Sequence, residues 1–248
     1  MIYITGDKHG NFHSIEKFCK ENKTTKQDVL IILGDSGLNY YVNRTKYVHP
    51  KYEDTLESLD VKLRLAKLPI TFFFIQGNHE APASYVKGYV PYYKFGNTVY
   101  FNKDYRNQFF AINGNIYYFL NKKCVVLGGA YSVDKNYRLN KIKNGAKEVR
   151  WFPEEQMTDI RRQAASAMLS REDWKVDYVF SHTCREGLMP TDLFLKYDDI
   201  VEDRTTEKWL DEIHHNLSYK KWFCGHFHDD RMLDDKTVLM FNDIRQLV

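Results

Sequence analysis

Five short segments of the sequence carry side chains that could bind metal ions. They read Asp7-Lys8-His9, Gly34-Asp35, Gly77-Asn78-His79-Glu80, Ser181-His182 and Gly225-His226-Phe227-His228. Two donors that stand two positions apart lie on the same side of an extended chain, so such a pair can reach one ion. Taken singly, most of these segments are more often a helix cap, a turn or a structural histidine, whereas Gly77-Asn78-His79-Glu80 is more specific. The metal hypothesis therefore depends on the five segments together.

The five segments supply mixed oxygen and nitrogen donors. The seven candidate ligands are Asp7, His9, Asp35, Asn78, His182, His226 and His228. Carboxylate, amide and imidazole without thiolate suit manganese, iron, zinc or nickel, whereas a structural zinc site prefers cysteines. Seven donors exceed one four-coordinate site, and a shared carboxylate can hold two ions about 3.5–4 Å apart. We expect two divalent ions, with manganese first and iron, zinc or nickel as alternatives.

Strand-like apolar runs lead into each of these segments. The runs end at Thr5, Leu33, Ile75, Phe180 and Cys224, and a further run ends at Leu127, before Gly128-Gly129. Helical patterns separate several of the runs. Strands that alternate with helices predict an α/β architecture, in which ligand sites gather beyond the carboxyl ends of the strands. All five donor segments fall at such ends.

Four helical patterns each predict a buried face. The predicted faces are Phe12, Ile15, Phe18 and Cys19; Leu56, Leu59, Leu63 and Ala66; Met157, Ile160, Ala164 and Met168; and Trp209, Leu210, Ile213 and Leu217. In the third pattern, which runs from Pro153 to Arg171, we expect Arg161 and Arg162 to face water.

Composition excludes several classes of protein. The 248 residues include 36 basic and 33 acidic side chains, so the net charge is +3, which gives no strong nucleic-acid signal. No apolar run is long enough to span a membrane, and no signal-peptide pattern is present. The four cysteines are scattered, so neither a disulfide framework nor a zinc knuckle is indicated. We expect one domain over residues 1–248, in the cytoplasm; oligomeric state is not indicated.

The order of the donor segments resembles that of the calcineurin-like metallophosphoesterases. The motifs of that family read GDxHG, GD, GNH[ED], a strand-end H and GHxH, and this chain has them at 6–10, 34–35, 77–80, 182 and 225–228. Residues 128–134, 137–138 and 181–184 look most like the small metallophosphoesterases of Firmicutes and their phages. The resemblance implies a four-layer αββα sandwich of two mixed β-sheets flanked by helices.

The same resemblance implies a role for each donor. Asp7, His9 and His228 would hold the first ion, Asn78, His182 and His226 the second, and Asp35 would bridge both. His79 resembles the family's catalytic imidazole, which touches the phosphate and the leaving group and binds no metal. The implied reaction is hydrolysis of a phosphate ester by a hydroxide that bridges the two ions, with Asp35 and His79 as catalytic residues.

Two departures from the family bear on the substrate. Phosphoprotein phosphatases carry an arginine in GDxVDRG and another soon after GNHE, and both are missing here, after Asp35 and after Glu80. Arg44, Arg138 or Arg185 could replace them, and Arg185 is best placed because it lies three residues after His182. We therefore expect substrate contacts from Asn78, His79 and Arg185, and a small phosphodiester or nucleotide-like substrate.

Other functions remain open at this point. A phosphomonoesterase like the protein serine/threonine phosphatases is the main alternative, and a non-catalytic scaffold on the same fold is another. A DNA nuclease is disfavoured by the balanced charge and by the lack of a basic capping domain. Residues 39–51 and 131–151 could form the rim of a substrate pocket or could be plain loops. Lys8 alternates away from Asp7 and His9, so we expect it outside the ligand set.

Overall fold

The computed structural model describes residues 1–193 and 203–247, and all structural statements concern these residues. The five α-helices are α1 (His13–Asn22), α2 (Leu56–Lys67), α3 (Lys135–Lys143), α4 (Asp159–Arg171) and α5 (Thr205–Asn216). The first eight strands are β1 (Ile2–Thr5), β2 (Val29–Ile32), β3 (Val42–Arg44), β4 (Tyr52–Asp54), β5 (Thr71–Phe74), β6 (Val90–Lys94), β7 (Asn97–Phe101) and β8 (Gln108–Phe110). The others are β9 (Ile116–Phe119), β10 (Lys122–Leu127), β11 (Tyr178–Ser181), β12 (Lys221–Cys224), β13 (Arg231–Met232), β14 (Thr237–Leu239) and β15 (Arg245–Gln246).

Two mixed sheets form the centre of the molecule. The first has the strand order β15-β1-β2-β5-β8-β7-β6, and β1, β2, β5 and β8 within it are parallel. The second has the order β13-β14-β12-β11-β10-β9, with a parallel group of β10, β11, β12 and β14. Strands β3 and β4 form a separate antiparallel hairpin. The donor segments follow parallel strands of both sheets.

Three apolar clusters define four layers. Phe73 of β5 packs with Val126 and Phe180 of the second sheet, so one cluster lies between the two sheets. A second cluster joins the outer face of the first sheet to α1 and α2, and a third joins the outer face of the second sheet to α4 and α5. The predicted αββα sandwich is confirmed. No helix of the described residues is long and apolar enough to cross a membrane.

Strand β5 shows how the sequence specifies these layers. Its residues are buried on both faces, with Phe73 in the cluster between the sheets and Phe72 and Phe74 in the cluster beneath α1 and α2. Such an unbroken apolar run is typical of a central parallel strand, whose two faces are both covered. The buried strand therefore fixes the position of the segment that follows it, in which Asn78 and His79 lie.

Two of the predicted helix faces are confirmed and two are wrong. Ile15 and Cys19 of α1 are buried, as are Trp209, Leu210 and Ile213 of α5. In α2 the buried residues are instead Ser58, Lys62 and Leu65, and in α4 they are Ala165 and Leu169. Both observed faces are displaced from the predicted ones, although Met157, which precedes α4, is buried as predicted.

The cause in α2 is a buried lysine. The ammonium of Lys62 donates to Asp54 Oδ1 at 2.5 Å and lies over the ring of Tyr89, which makes burial of this cation acceptable. Leu56 is consequently 82% exposed. A pattern of apolar residues assigns a lysine to the solvent face, so it could not predict the burial of Lys62.

Helix α4 begins later than the sequence pattern suggests. The hydroxyl of Thr158 accepts from the backbone N–H of Arg161 and so caps the helix. Residues 153–157 lie before this cap, and Ile160 in the first turn is 79% exposed. Arg162, expected to face water, donates to the carbonyl of Met157 and is largely buried.

Candidate metal centre

The seven candidate ligands meet where the carboxyl ends of strands from both sheets adjoin. Asp7, Asp35 and Asn78 follow β1, β2 and β5 of the first sheet, whereas His182, His226 and His228 follow β11 and β12 of the second. The side chain of His182 connects the two sides, since its Nδ1 lies 2.8 Å from the carbonyl oxygen of Leu33. The predicted position at the strand ends is confirmed.

Four of the donors form a buried inner group, which consists of Asp7, Asp35, Asn78 and His182. None is more than 2% exposed. Ligand atoms of Asp7, Asp35 and His182 lie within 4.8 Å of one another. Nε2 of His182 is 2.8 Å from Asn78 Oδ1 and 3.6 Å from Asp35 Oδ2. These atoms converge on one point, as the ligands of a single ion would.

His9 and His228 form an outer pair at the mouth of the site. Their Nε2 atoms are 2.9 Å apart and lie 3.7 and 3.3 Å, respectively, from Oδ2 of Asp7. The side chains are 38% and 49% exposed. Asp7 therefore belongs to two groups of close ligand atoms, one with His9 and His228 and the other with Asp35 and His182.

Oδ2 of Asp7 provides a direct test of whether a cation fits. This oxygen is buried and accepts no hydrogen bond within the described part of the chain, despite its approach to His228. A buried carboxylate oxygen without a donor is costly, by about 1–3 kcal/mol or more for a charged group. Two imidazole nitrogens face the same space. A divalent ion would satisfy the oxygen, so the residues fit a metal centre.

His226 joins the inner group from the side. Its backbone N–H donates to Oδ1 of Asp7 at 3.0 Å, and its ring lies 5.0 Å from that of His182. The residue thus fixes one oxygen of the carboxylate and leaves the other free. All seven predicted ligands lie in one cluster.

The backbone at these donors adopts a conformation that side chains rarely tolerate. His9, Asp35, His226 and His228 have φ values of 46°, 43°, 72° and 53°. Such left-handed geometry at residues other than glycine is sparse and concentrates at functional sites. It turns each donor sharply off its strand and into the cleft.

Two glycines allow the carboxylates to approach the backbone. A Cβ atom at Gly77 would stand 1.9 Å from Oδ1 of Asp35, and one at Gly225 would stand 2.4 Å from Oδ1 of Asp7. Neither distance is sterically possible. The glycines of the GNH and GHxH segments are therefore required by the placement of the two carboxylates.

Comparison with known proteins agrees with this geometry. The family model for calcineurin-like phosphoesterases matches residues 1–236. This chain belongs to the calcineurin-like phosphoesterase family. Fourteen chains of solved structures also match it, among them a crystal structure with a TM-score of 0.47 and 10% identity over 96% of this chain and 88% of that one. No curated protein matches. Membership of the family supports hydrolysis of phosphate esters with divalent metal ions.

Charges in this phosphoesterase site balance one another across the cleft. Although burial opposes it, the charge of His182 holds the pKa of Asp7 and of Asp35 below the usual range. The two carboxylates in turn overcome burial and raise the pKa of His182 to about 9. At His226 burial and the charge of His182 outweigh the same two carboxylates and lower its pKa to about 3. In the metal-free protein, His182 is thus the cation that stabilises the inner carboxylates.

His79 stands beside the phosphoesterase cluster and outside the group of converging ligand atoms. Its backbone N–H donates to Oδ1 of Asp35 at 2.8 Å, and its Nε2 lies 3.3 Å from Nδ2 of Asn78. Burial lowers the pKa of His79, Asp35 opposes that shift, and the charge of Arg138 adds to it. The neutral form of the ring is therefore favoured relative to an exposed histidine.

The three arginines named from the sequence occupy different environments. Arg185 forms ion pairs with Asp211 at 3.3 Å and Asp234 at 3.1 Å, and neither carboxylate belongs to the metal cluster. Arg138 instead lies close enough to His79 to influence its pKa. Arg44 is exposed at the end of β3. The role of Arg185 in substrate binding stays a prediction.

Sequence reasoning missed two polar residues that support the ligands. Ser132 accepts from Nδ2 of Asn78 at 2.9 Å, which directs the amide oxygen towards His182. Glu80 accepts from Ser36 Oγ at 2.6 Å and from the N–H of Gly77, and burial and Asp35 raise its pKa to about 7. Glu80 belongs to the GNHE segment, and Ser132 follows the glycine pair after β10. These two positions in the sequence were the signals that could have identified Glu80 and Ser132 as supporting residues.

Proposed function

We propose that the chain is a phosphodiesterase or nucleotide-directed phosphoesterase with two divalent ions, manganese first. The observation that supports this most is the shared Asp7, whose buried Oδ2 accepts no hydrogen bond from a described residue and faces donors on two sides. When bound, two such ions lower the pKa of a water and stabilise charge on the phosphoryl oxygens.

The proposed ligands divide as follows: Asp7, His9 and His228 hold one ion, Asn78, His182 and His226 hold the other, and Asp35 reaches both. The short separations within the outer pair and within the inner group support this division. The position of Asp35 supports its shared role, because its charge acts on the pKa of both His9 and His182.

We propose His79 as the group that stabilises or protonates the departing oxygen. The bond from its backbone N–H to Asp35 fixes its position beside the metal ligands, and a positioned imidazole is a common acid or base in catalysis. Asn78 and His79 are the proposed substrate contacts, and Arg185 is retained as a third. Its two carboxylate partners make Arg185 less available than the sequence suggested.

The preference for diesters follows from the missing arginines. A phosphomonoester dianion gains more than a diester from a guanidinium aimed at its terminal oxygens. One observation favours the second candidate, a phosphomonoesterase: the charge of Arg138, on α3, reaches His79. Arg138 is held by Asp134 and Tyr40, so it would be preorganised for such a contact.

Parallel kinetics with para-nitrophenyl phosphate and its bis ester test the proposal. With added manganese, we expect kcat/KM for the bis ester to be at least comparable to that for the monoester, and phosphopeptides to be poor. Arg138→Ala and Arg185→Ala identify any replacement for the missing guanidinium, because the important one should lose monoester turnover selectively. Full activity after exhaustive chelation would contradict the metal chemistry. Strong preference for phosphopeptides would contradict only the diester assignment.

We further propose a single domain over residues 1–248, although 194–202 and 248 lie outside the described residues. The three apolar clusters support this, since each joins elements distant in sequence. A reducing compartment such as the cytoplasm is proposed because Cys19, Cys124, Cys184 and Cys224 are all buried free thiols.

A further inference from the structure

The small net charge of the chain conceals a strongly uneven distribution. Residues 39–51 contain three basic side chains and no acidic one, and residues 131–151 contain six basic and two acidic side chains. These two segments together carry a net charge of +7, so the rest of the chain carries −4 within the total of +3. The balance that argued against polyanionic partners therefore applies to the whole chain and fails for this part of it.

The two basic segments pack against each other. The hydroxyl of Tyr40 accepts from Arg138 Nη1 at 3.2 Å and from the backbone N–H of Arg150 at 3.3 Å. Nε of Arg150 donates to the carbonyl of Val42 at 3.3 Å. Residues 39–51 and 131–151 thus form one continuous surface, called the basic rim below.

The basic rim begins at the metal centre. Ser132 accepts from Asn78, and the carbonyl of Asn39 accepts from the backbone N–H of Ala81 at 3.1 Å. Arg138, farther along the rim, still influences His79 through its charge. A ligand that extends from the metal cleft along this side would meet the rim directly.

Much of the positive charge on the rim is not neutralised. Within residues 1–193 and 203–247, no carboxylate lies within ion-pair distance of Arg44, Lys46, Lys141, Lys143 or Lys147. None of the nine residues of α3 is buried. Aromatic rings stand among these cations, with Tyr47 76% and Tyr137 60% exposed. Helix α3 therefore offers an open face of cations and rings beside the cleft.

We propose that the basic rim binds a single-stranded nucleic acid and leads one of its phosphodiester bonds into the metal centre. Unpaired cations attract a chain of phosphates, and exposed rings stack on unpaired bases, which a duplex hides within its own stack. The inference rests on the proposed diesterase chemistry and names its substrate class. In the reaction, water oxygen bonds to phosphorus, one P–O ester bond breaks, and a proton passes to the departing oxygen. The products are a terminal phosphate and a hydroxyl.

Binding is measured first without metal, so that cleavage does not interfere. The probes are fluorescein-labelled oligothymidylate and oligouridylate of about 20 nucleotides, each also tested as a duplex with its complement, and the readout is anisotropy in EDTA. The test variant is Lys141→Glu/Lys143→Glu. The matched control is Lys20→Glu/Lys67→Glu, since these lysines are likewise exposed and in the last turns of α1 and α2.

We expect the rim variant to lose at least about tenfold in affinity near 50 mM salt, and the control to stay within about twofold. The slope of log affinity against log salt should become shallower by about 1.4 in the rim variant, because each phosphate contact to a single strand contributes about 0.7. The sugar of the oligonucleotide that binds more tightly shows whether the ligand is DNA or RNA. Equal losses in both variants, or tighter binding of the duplex, would overturn the proposal.

Turnover with manganese separates this proposal from the previous one. The ratio of kcat/KM for the oligonucleotide to that for the bis ester should fall at least about tenfold in the rim variant and stay constant in the control. Hydrolysis of the bis ester without oligonucleotide binding would overturn the rim assignment alone. Oligonucleotide binding without hydrolysis of either ester would overturn the diesterase chemistry, and with it the assignment of the strand as a substrate.

Discussion

The inner and outer parts of the metal centre are built in different ways. Asp7, Asp35, Asn78 and His182 are buried between loops of two sheets, whereas His9 and His228 stand partly in solvent. The inner donors are fixed by strand ends and by contacts such as that of His182 with the carbonyl of Leu33. The outer pair, like Asp35, has a left-handed backbone conformation, and its imidazoles lie close to Asp7. Sheet packing thus encloses the inner half of the site and leaves the outer half partly open to solvent.

This difference predicts that the inner and outer parts of the site differ in how tightly they hold a metal ion and in how readily they exchange it. Two buried carboxylates at one point repel each other unless a cation stands between them, and His182 supplies that charge only when protonated. We infer that an ion at the inner group would be bound together with the folded core. An ion at the exposed imidazoles of the outer pair would exchange without disturbing the sheets.

The largest expected effect comes from Asp35→Asn. An amide carries no charge to either ion, so both should be bound more weakly, and each is worth several kcal/mol of transition-state stabilisation. Activity should fall by roughly 10⁴-fold or more, with a measured metal content of one ion or none per chain. Retention of two tightly bound ions would show that Asp35 does not join the halves of the site.

His79→Asn should reduce activity without affecting the metal. A positioned acid or base contributes roughly 10²–10⁴ in rate, so kcat should fall by that factor while metal content and thermal stability stay at wild-type levels. Elemental analysis beside the kinetics checks this. A parallel fall in metal content would make His79 a ligand and would assign it to the inner group.

The outer pair should behave more mildly than the inner group. In His228→Asn we expect loss of one ion and a fall of about 10–100-fold in activity at limiting manganese, largely restored by excess metal. The matched inner variant, His182→Asn, should not be restored, because its loss leaves buried carboxylates without a partner. Equal rescue of both variants would remove the distinction between the two halves.

The smallest stepwise effect, for a change of one pH unit, is the pH dependence of metal binding. His182 has a pKa of about 9 in the metal-free protein, so below that pH an ion must displace its proton. Apparent affinity should therefore fall about tenfold for each pH unit lowered from 9, and His182→Asn should release one proton fewer on binding. Calorimetry in buffers of different ionisation enthalpy counts these protons.

The same shift has a defined sign for the stability of the metal-free protein. The folded pKa of His182 is raised above its ordinary value of 6.5. Its charge therefore stabilises the fold fully below about pH 6.5, and that contribution is lost as the pH rises through about 9. Denaturant titrations of metal-free wild type and His182→Asn should converge at high pH. Constant separation between them would contradict the raised pKa.

Local patterns in the sequence predicted an α/β architecture and the gathering of all seven candidate ligands, whereas the sandwich was implied by the resemblance to the metallophosphoesterases. Apolar runs that end in polar residues identify strands and their carboxyl ends. Lys8 was also anticipated correctly outside the ligand set, and its ammonium donates to the carbonyl of Phe241 at 2.6 Å. Buried ion pairs such as Lys62 with Asp54 escaped because charge normally indicates solvent.

The supporting contacts could not be predicted because they join distant segments. Ser132 meets Asn78 across 54 residues, and the position of Arg138 depends on its bonds to Asp134 and Tyr40. Arg185 looked best placed by its distance along the chain from His182. Asp211 of α5 and Asp234, before β14, nevertheless engage its guanidinium. Nearness in sequence was a poor guide to side-chain direction there.

The clearance at Gly77 and Gly225 affects how mutational data for this enzyme should be interpreted. A methyl group at either position would displace Asp35 or Asp7. A random screen for inactive variants should therefore recover substitutions at both glycines as readily as at the histidines. Their phenotype would imitate the loss of a ligand, although neither residue has a side chain that can bind an ion.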